Sequence, residues 1–438
     1  MNIVYLHAHD LGRYCRPFGY AIPAPNLQRL AEEGVLFRQA HAAAPTCSPS
    51  RAALVTGRWP HCNGMFGLAS ERWGFTLKDY SQHIVRFLKS HGYDTALAGV
   101  QHVARLPWAD PCEVLGYDRF LNHTPQPPEL FQYSRTVEAA RAYLAERHEA
   151  PFFLSVGFLE PHRAGNTSVF SRTLDGEPAD LDDRYCLPMP HLPDTRVTRR
   201  ETANFKMGVE IMDRQMGAVL RAIDYSGLRD DTLVICTTDH GPGFPAMKRT
   251  LTDRGTGVML IVRGPGGSDF SGGKVCDALV SHMDLYPTVC ELLGLDFPDW
   301  LQGNSLLPAV RGEVDEIHDM IFTEQSYHGD YCPLRAVRTQ RHKYIRRFDV
   351  KAKKGVDRGP AQVLWEEHGW QGMPQPEEEL YDLLFDPHEA NNLADSESHA
   401  GVLQKLSGYL RKWMQDTGDP ITGDGVPPPP AWAKGKKA

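Results

Sequence analysis

The sequence predicts an α/β protein: a large, mostly parallel sheet flanked by helices, joined to a smaller C-terminal α+β subdomain with an antiparallel sheet. Three observations predict it. Short apolar runs alternate with helix-length segments, which is the pattern of a layered α/β fold. The runs are nearly continuous in apolarity and rich in β-branched or aromatic residues, as strands covered on both faces are. After residue 310 the texture changes to closely spaced runs joined by tight turns. A chain of 438 residues is long enough for one large core and a second, smaller one.

Taken in order, the strands are NIVYLH (2–7), YDTALAG (93–99), FFLSVGF (152–158), TLVICTT (232–238) and GVMLIV (257–262). Between them lie helix-like stretches: NLQRLAEEG (26–34), SRAALVTG (50–57), LKDYSQHIVRFLKSHG (77–92), SRTVEAARAYLAERH (134–148) and a long one over 200–227. Several end on glycine, which takes the left-handed conformation that closes a helix. DLYPTVCELLG (284–294) is the last helix of a first domain spanning 1–310. In 311–420, MIFTEQ (320–325), LRAVRTQ (334–340) and HKYIRRF (342–348) read as strands, with RTQRHKY as a hairpin, and a helix runs over 399–418. Residues 421–438 contain GVPPPPAWAKGKKA, proline-rich and then basic, and read as an extended or disordered tail.

Composition excludes some roles. A net charge of −8 lacks the basic footprint of a general nucleic-acid binder. No stretch approaches the roughly 18 uninterrupted apolar residues of a membrane span. The start, MNIVYLHAHD, lacks the basic, apolar and small-residue sections of a secretory signal. Nine cysteines, an odd number with no C-x-x-C, read as reduced thiols, so the expected location is cytoplasmic and no disulfide is expected at Cys47. The sequence leaves a homo-oligomer open.

The informative residues stand just past the strands. Beyond the first come His9 and Asp10; beyond the second, His102; beyond the third, Glu160 and His162; beyond the fourth, Asp239 and His240, with Lys248 further on. Open α/β sheets bind ligands outside the carboxyl ends of their strands. Any one of these residues alone is ordinary hydrogen-bonded structure; four strands delivering them to one edge form a site. His9, Asp10, Asp239 and His240 suit a divalent cation. Arg51, His102, His162 and Lys248 supply cationic or donor groups for a tetrahedral oxyanion, sulfate or phosphate. Cys47, in CSPSR (47–51), stands at a helix N-terminus, which favours anions and lowers a thiol pKa.

CSPSRAALVTGR, a C-x-P-x-R followed by T-G, resembles the signature of the formylglycine-dependent sulfatases of the alkaline phosphatase superfamily. HDLG parallels that family's metal-binding D-D-x-G, AGVQHV (98–103) its G-K-x-H, EPHR (160–163) its P-H motif and TTDHG (237–241) its second metal motif. PLRAVRTQRHKYI (333–345) and ELYDLLFDPHEANNLA (379–394) look like its C-terminal subdomain. The context of FPAMK (244–248), CSPSR and PLRAVRT looks most like the heparan N-sulfatase (sulfamidase) branch.

The resemblance implies an alkaline phosphatase-like fold and hydrolysis of a sulfate ester or sulfamate. Cys47, oxidised to formylglycine by a formylglycine-generating enzyme, would be hydrated to a geminal diol. One hydroxyl attacks sulfur, and the second expels sulfate. His9, Asp10, Cys47, Asp239 and His240 would line the metal, calcium by family habit. Arg51 would orient the diol, His102 would contact it, His162 would protonate the leaving group and Lys248 would hold sulfate oxygens. The partner is a sulfated small molecule or saccharide.

Two positions depart from the pattern. His9 stands where aspartate is usual, so either the site is softer and suits manganese, iron or zinc, or His9 turns away and leaves Asp10 as the ligand from that strand. Val100 stands where lysine is usual, and Arg13, Arg105 and Arg163 are candidates to replace its charge. His7 reads as core or support for the site, and Glu160 as solvated or supporting. The segments 165–195 and 324–333 read as loops bordering the pocket. In the second, His328, Tyr327 and Asp330 are either leaving-group contacts or plain loop polarity. Two other functions stay open: hydrolysis of phosphonate monoesters or phosphodiesters with the same nucleophile, and non-catalytic metal or anion binding.

Overall fold

A computed structural model describes all residues except 71–72, 106–109, 123–132, 164–169, 171–181, 356 and 431–438. The strands in chain order begin with β1 (Asn2–Ala8), β2 (Val35–Phe37), β3 (Ala40–His41), β4 (Asp94–Gly99), β5 (Arg119–Phe120), β6 (Phe152–Gly157) and β7 (Thr232–Thr238). They continue with β8 (Leu260–Arg263), β9 (Lys274–Cys276), β10 (Val280–Ser281), β11 (Met320–His328), β12 (Asp330–Thr339), β13 (His342–Arg347) and β14 (Glu378–Asp382). A large sheet has the order β5-β4-β6-β1-β7-β8-β2-β9, and a second sheet has the order β11-β12-β13-β14.

The run from β5 to β7 is parallel; β8 is antiparallel to both its neighbours. β1 shows why both faces are covered. Ile3 and Tyr5 enter one core with Phe153, Leu233 and Ile235. Val4, Leu6 and Ala8 enter the other with Leu154, Val156, Val234 and Cys236. Period-two alternation thus divides an all-apolar strand between two layers of helices. The helix Arg196–Tyr225 lines the second layer with Phe205, Val209, Met212, Met216 and Ile223, and Thr195 caps its start by accepting from Thr198 N–H. Among the described residues no helix is long and apolar enough to cross a membrane.

Several boundaries differ from the sequence pattern. The helix expected over 77–92 is a 3-10 turn at Tyr80–Gln82 and a helix at Ile84–Ser90. Asp79 and His83 accept from Ser81 N–H and Val85 N–H, so side-chain caps start each piece separately. The strand expected over 257–262 is Leu260–Arg263. β2, β5 and β9 are two or three residues long, too short to leave a periodic signature. The segment 324–333 is mostly strand, the end of β11 and start of β12, turned at Gly329 with φ +77. The helix Ala400–Asp416 packs on the second sheet through Leu406, Leu410 and Trp413 against Val337, Tyr344 and Leu380. Residues 421–430 do not hang free, since Val426 is buried in the main core, and 431–438 lie outside the described residues.

Candidate active site

β4, β6, β1 and β7 are adjacent and parallel, so their carboxyl ends form one edge. That edge gathers His102, Glu160 and His162, His9 and Asp10, and Asp239 and His240. Asp10 (φ +53) and His102 (φ +57) lie in the left-handed region, where Asp and His are among the more tolerant side chains. The turn at Asp10 lets two consecutive residues face one centre. Asp10 N–H and His240 N–H both donate to Asp239 Oδ1, at 2.9 and 3.0 Å.

Cys47 opens the helix Cys47–Thr56 and is buried. Its Sγ lies 3.3 Å from His240 Nε2. His240 Nδ1 is 2.9 Å from the Gly241 carbonyl, which can only accept. Nδ1–H therefore donates to that carbonyl, and Nε2 faces Cys47, with Asp10 Oδ1 at 3.4 Å and Asp239 Oδ2 at 3.6 Å. His9, Asp10, Cys47 and Asp239 bring one ligand atom each within 4.8 Å of the others, all buried. His9 Nδ1 stands 3.1 Å from Asp239 Oδ2, while His9 Nε2 and Asp10 Oδ1 lack a hydrogen-bond partner among the described residues. An unsatisfied buried polar group costs about 1–3 kcal/mol, so a cage with two such atoms fits a divalent cation.

Arg51, one turn along the helix from Cys47, donates to the Ala8 carbonyl (2.8 Å) and to Asp239 Oδ2 (3.1 Å), and touches His7 Nδ1. It fixes the end of β1 and the Asp239 carboxylate. His7 is a buried support, its Nε2 on Ser155 Oγ at 3.2 Å. Lys248 Nζ donates to Asp10 Oδ2 (2.8 Å) and to Asp357 Oδ2 (2.9 Å). His162 Nδ1–H donates to the Arg163 carbonyl at 2.7 Å, leaving Nε2 3.8 Å from Asp10 Oδ2 with the side chain 29 % exposed. The His102 ring centre is 5.8 Å from that of His9.

Charge states follow from burial. Burial, aided by Arg51, holds His9 far below the ordinary imidazole pKa and His102 down at about 3, so both are neutral. Burial opposes the charge on Asp239, but His240, Arg51 and His9 hold its carboxyl well below the usual range. Burial likewise opposes the charge on Lys248, which Asp10 and Asp357 keep an ammonium. The expectation of an acidified Cys47 thiol is overturned: burial pushes it well above the usual value, only partly offset by Lys248. The helix terminus loses to desolvation and to two nearby carboxylates.

Of the cations proposed to replace the lysine absent at Val100, Arg13 reaches the Arg38 and Ala40 carbonyls, and Arg163 is paired with Glu201 over the Phe170 ring. Arg105 is exposed. The cations at the carboxylates are Arg51, on Asp239, and Lys248, on Asp10 and Asp357. Glu160 is buried, not solvated, and burial raises it to about 7. Most of 165–195 lies outside the described residues. In the β11–β12 hairpin, Tyr327 packs on Phe75, Asp330 is exposed, and His328 stands among Arg249, Lys248, Asp357 and His240 with Nδ1 buried and without a partner among the described residues. Burial, then Arg249, keeps His328 neutral. Sequence reasoning missed Asp357, which sits in an aperiodic loop before the helix Pro360–Glu367 and has no motif around it.

The sulfatase family model matches residues 1–295, and that of the N-sulphoglucosamine sulphohydrolase C-terminal region matches 245–356. The chain is 30 % identical to N-sulphoglucosamine sulphohydrolase of Homo sapiens, over 93 % of this chain and 88 % of that protein. A solved structure of a putative sulfatase from Bacteroides thetaiotaomicron superposes with TM-score 0.75 at 22 % identity, covering 96 % of this chain and 93 % of that one. Another, a protein in complex with its substrate D-glucosamine-2-N,6-O-disulfate, gives 0.71 at 18 %, covering 95 % and 98 %.

Proposed function

Because this chain belongs to the sulfatase family, and is thereby a sulfuric ester hydrolase, we propose that it cleaves the sulfate ester or sulfamate of a saccharide with a nucleophile made from Cys47 beside a divalent metal. One observation carries the reading. The Cys47 sulfur lies in a buried cage of His9, Asp10 and Asp239, 3.3 Å from Nε2 of His240. The relative named for N-sulphoglucosamine and the structure holding a disulfated glucosamine support a sulfated saccharide as substrate.

His9, Asp10, Asp239 and His240 would hold the metal, which when bound acidifies a neighbouring hydroxyl and neutralises sulfate oxygens. Oxidation of Cys47 to formylglycine, followed by addition of water to its aldehyde, would supply two hydroxyls on one carbon in place of a thiol whose pKa burial raises. The remaining work falls to side chains already placed. Arg51 keeps Asp239 ionised and aimed. Lys248 presents a fixed ammonium to the sulfate oxygens while Asp10 and Asp357 balance its charge. His162 would be the acid for the leaving group: its Nδ1–H is pinned on the Arg163 carbonyl, which aims Nε2, the atom that would pass the proton, from a partly exposed edge toward incoming substrate.

The deciding experiment takes protein coexpressed with a formylglycine-generating enzyme and compares a nitrophenyl sulfate with a nitrophenyl phosphonate. Preference for the sulfate is expected. Preference for the phosphonate moves the function to phosphonate monoesters or phosphodiesters, and tight metal binding with turnover of neither makes the chain a binder.

Two further results are expected. His162→Ala lowers kcat/KM on a sugar sulfate by about 10²–10⁴, the usual contribution of a general acid. On nitrophenyl sulfate, whose phenolate leaves unaided, the loss is far smaller; equal losses would remove the acid role. Chelation abolishes turnover, and because two imidazoles face the cage, manganese or zinc restores it better than calcium. His9→Asp shifts that preference toward calcium. An unchanged order of metals, read by activity and bound-metal content, would mean that His9 is not a ligand.

A further inference from the structure

A second charged cavity lies apart from the cage, at the seam between the two sheets. It has a volume of about 290 Å³ and shares no lining residue with the cage. The segment after β1 gives Asp10 to the cage but Arg13 and Tyr14 to this cavity. The segment after β7 sends Lys248 to Asp10, and sends Asp253 and Arg254 here. β12 and the loop after β14 close the cavity with Arg338 and His388.

Its charges do not balance. Arg338 holds Asp253 in a fork, at 3.1 and 3.2 Å, and Lys343 bridges Asp253 and Glu389. Those two cations neutralise both carboxylates. Arg13 and Arg254 meet only neutral groups among the described residues. Arg13 donates to the Arg38 and Ala40 carbonyls and lies 3.4 Å from the ring of His41, which burial keeps neutral. Its Nε is buried without a partner among the described residues. Arg254 donates to the Ala246 and His388 carbonyls. A guanidinium does not give up its proton, so two positive charges stand permanently at a half-buried wall. Carbonyls satisfy N–H groups but leave the charge, and the guanidinium fork matches a carboxylate, sulfate or phosphate.

The volume narrows the occupant. A water takes about 30 Å³, so the cavity has room for roughly ten, and a bare oxyanion leaves much of it unfilled. Tyr14, Tyr20 and Leu383 line the remainder. The two tyrosine rings stand with centres 4.7 Å apart, and Leu383 is half-buried, which makes an apolar wall for a carbon skeleton.

We propose that this cavity is a second binding site, for a sugar-sized acid whose carboxylate, sulfate or phosphate is held by Arg13 and Arg254. Calorimetric titration of the full-length matured chain tests it with glucuronate, glucose 6-phosphate and inorganic sulfate at constant ionic strength. Both sugar acids are expected to bind about tenfold tighter than inorganic sulfate, because the skeleton adds buried contact, and neither competes with nitrophenyl sulfate. Replacing both arginines, Arg13→Gln with Arg254→Gln, is expected to weaken the sugar acids about 100-fold through lost charge-assisted hydrogen bonds. Hydrolysis of nitrophenyl sulfate stays within about twofold, since the two sites share no residue. His388→Glu alters only an exposed side chain of the wall, and its carboxylate weakens binding about tenfold without disturbing the fold. Inorganic sulfate binding as tightly as the sugar acids would overturn the sugar-sized occupant. Binding unchanged in both variants, binding that competes with nitrophenyl sulfate, or no binding of any of the three probes would overturn the site. A chain that binds the sugar acids as expected but leaves nitrophenyl sulfate intact would overturn the hydrolase reading and not this inference.

Discussion

Cys47→Ala abolishes sulfate release, with kcat falling by at least about 10⁴, because a covalent nucleophile is lost and only binding and charge stabilisation remain. The substitution is readable because the fold tolerates it. Cys47 is 2 % exposed, and exchanging its sulfur for a methyl's hydrogens leaves a void smaller than those costing several kcal/mol in larger truncations. A melting temperature within a few degrees of wild type is expected. Cys47→Ser separates the nucleophile's chemistry from its position. Serine supplies one hydroxyl where the hydrated aldehyde supplies two, so the sulfated enzyme accumulates and turnover stops after one cycle. Mass analysis of the peptide Gln39–Arg51 reads all three proteins. The aldehyde or its hydrate is expected in active wild type, and a sulfate adduct in the serine form after exposure to substrate. Full activity in a preparation whose position 47 is entirely thiol would sink the mechanism.

The histidines and carboxylates legible in the sequence share one property, that they follow apolar runs, whereas Cys47, Arg51 and Lys248 were legible through the motifs CSPSR and FPAMK. His9–Asp10 and Asp239–His240 stand one or two positions past β1 and β7, so recognising the strand locates the side chain. What the pattern does not contain is strand order. Only the packing order β4-β6-β1-β7 turns four separate strand ends into one cage. Asp357 and His328 escaped or were left open for a related reason. They reach the site because the second sheet docks beside the first, and no local periodicity encodes docking. The misjudged thiol shows a competition between scales. A helix terminus is visible in sequence, but burial between Asp10 and Asp239 is a tertiary fact, and desolvation is the larger effect on Cys47.

Asp419→Ala costs about 3–5 kcal/mol of stability, because it strands a fully buried arginine. Arg335 on β12 is 0 % exposed and donates to Asp419 Oδ2 (2.5 Å) and Oδ1 (3.0 Å), with Glu324 Oε2 on β11 at 3.4 Å. Glu324 Oε1 in turn faces His61 Nδ1 of the first domain at 3.0 Å, and His61 Nε2 meets Thr417 Oγ1 at 2.9 Å. The cluster thus joins the turn at Pro60–Asn63, two strands of the second sheet and the end of the last helix. Burial opposes charge on His61, but Glu324 carries its pKa up to about 10, above the ordinary value near 6.5. The fold therefore binds a proton that the unfolded chain releases. Its contribution is complete below about pH 6.5 and fades as pH rises toward 10. Guanidinium unfolding of wild type should show stability falling across that window, and His61→Gln should flatten the fall. A loss below about 1 kcal/mol in Asp419→Ala would mean that Glu324 alone neutralises Arg335.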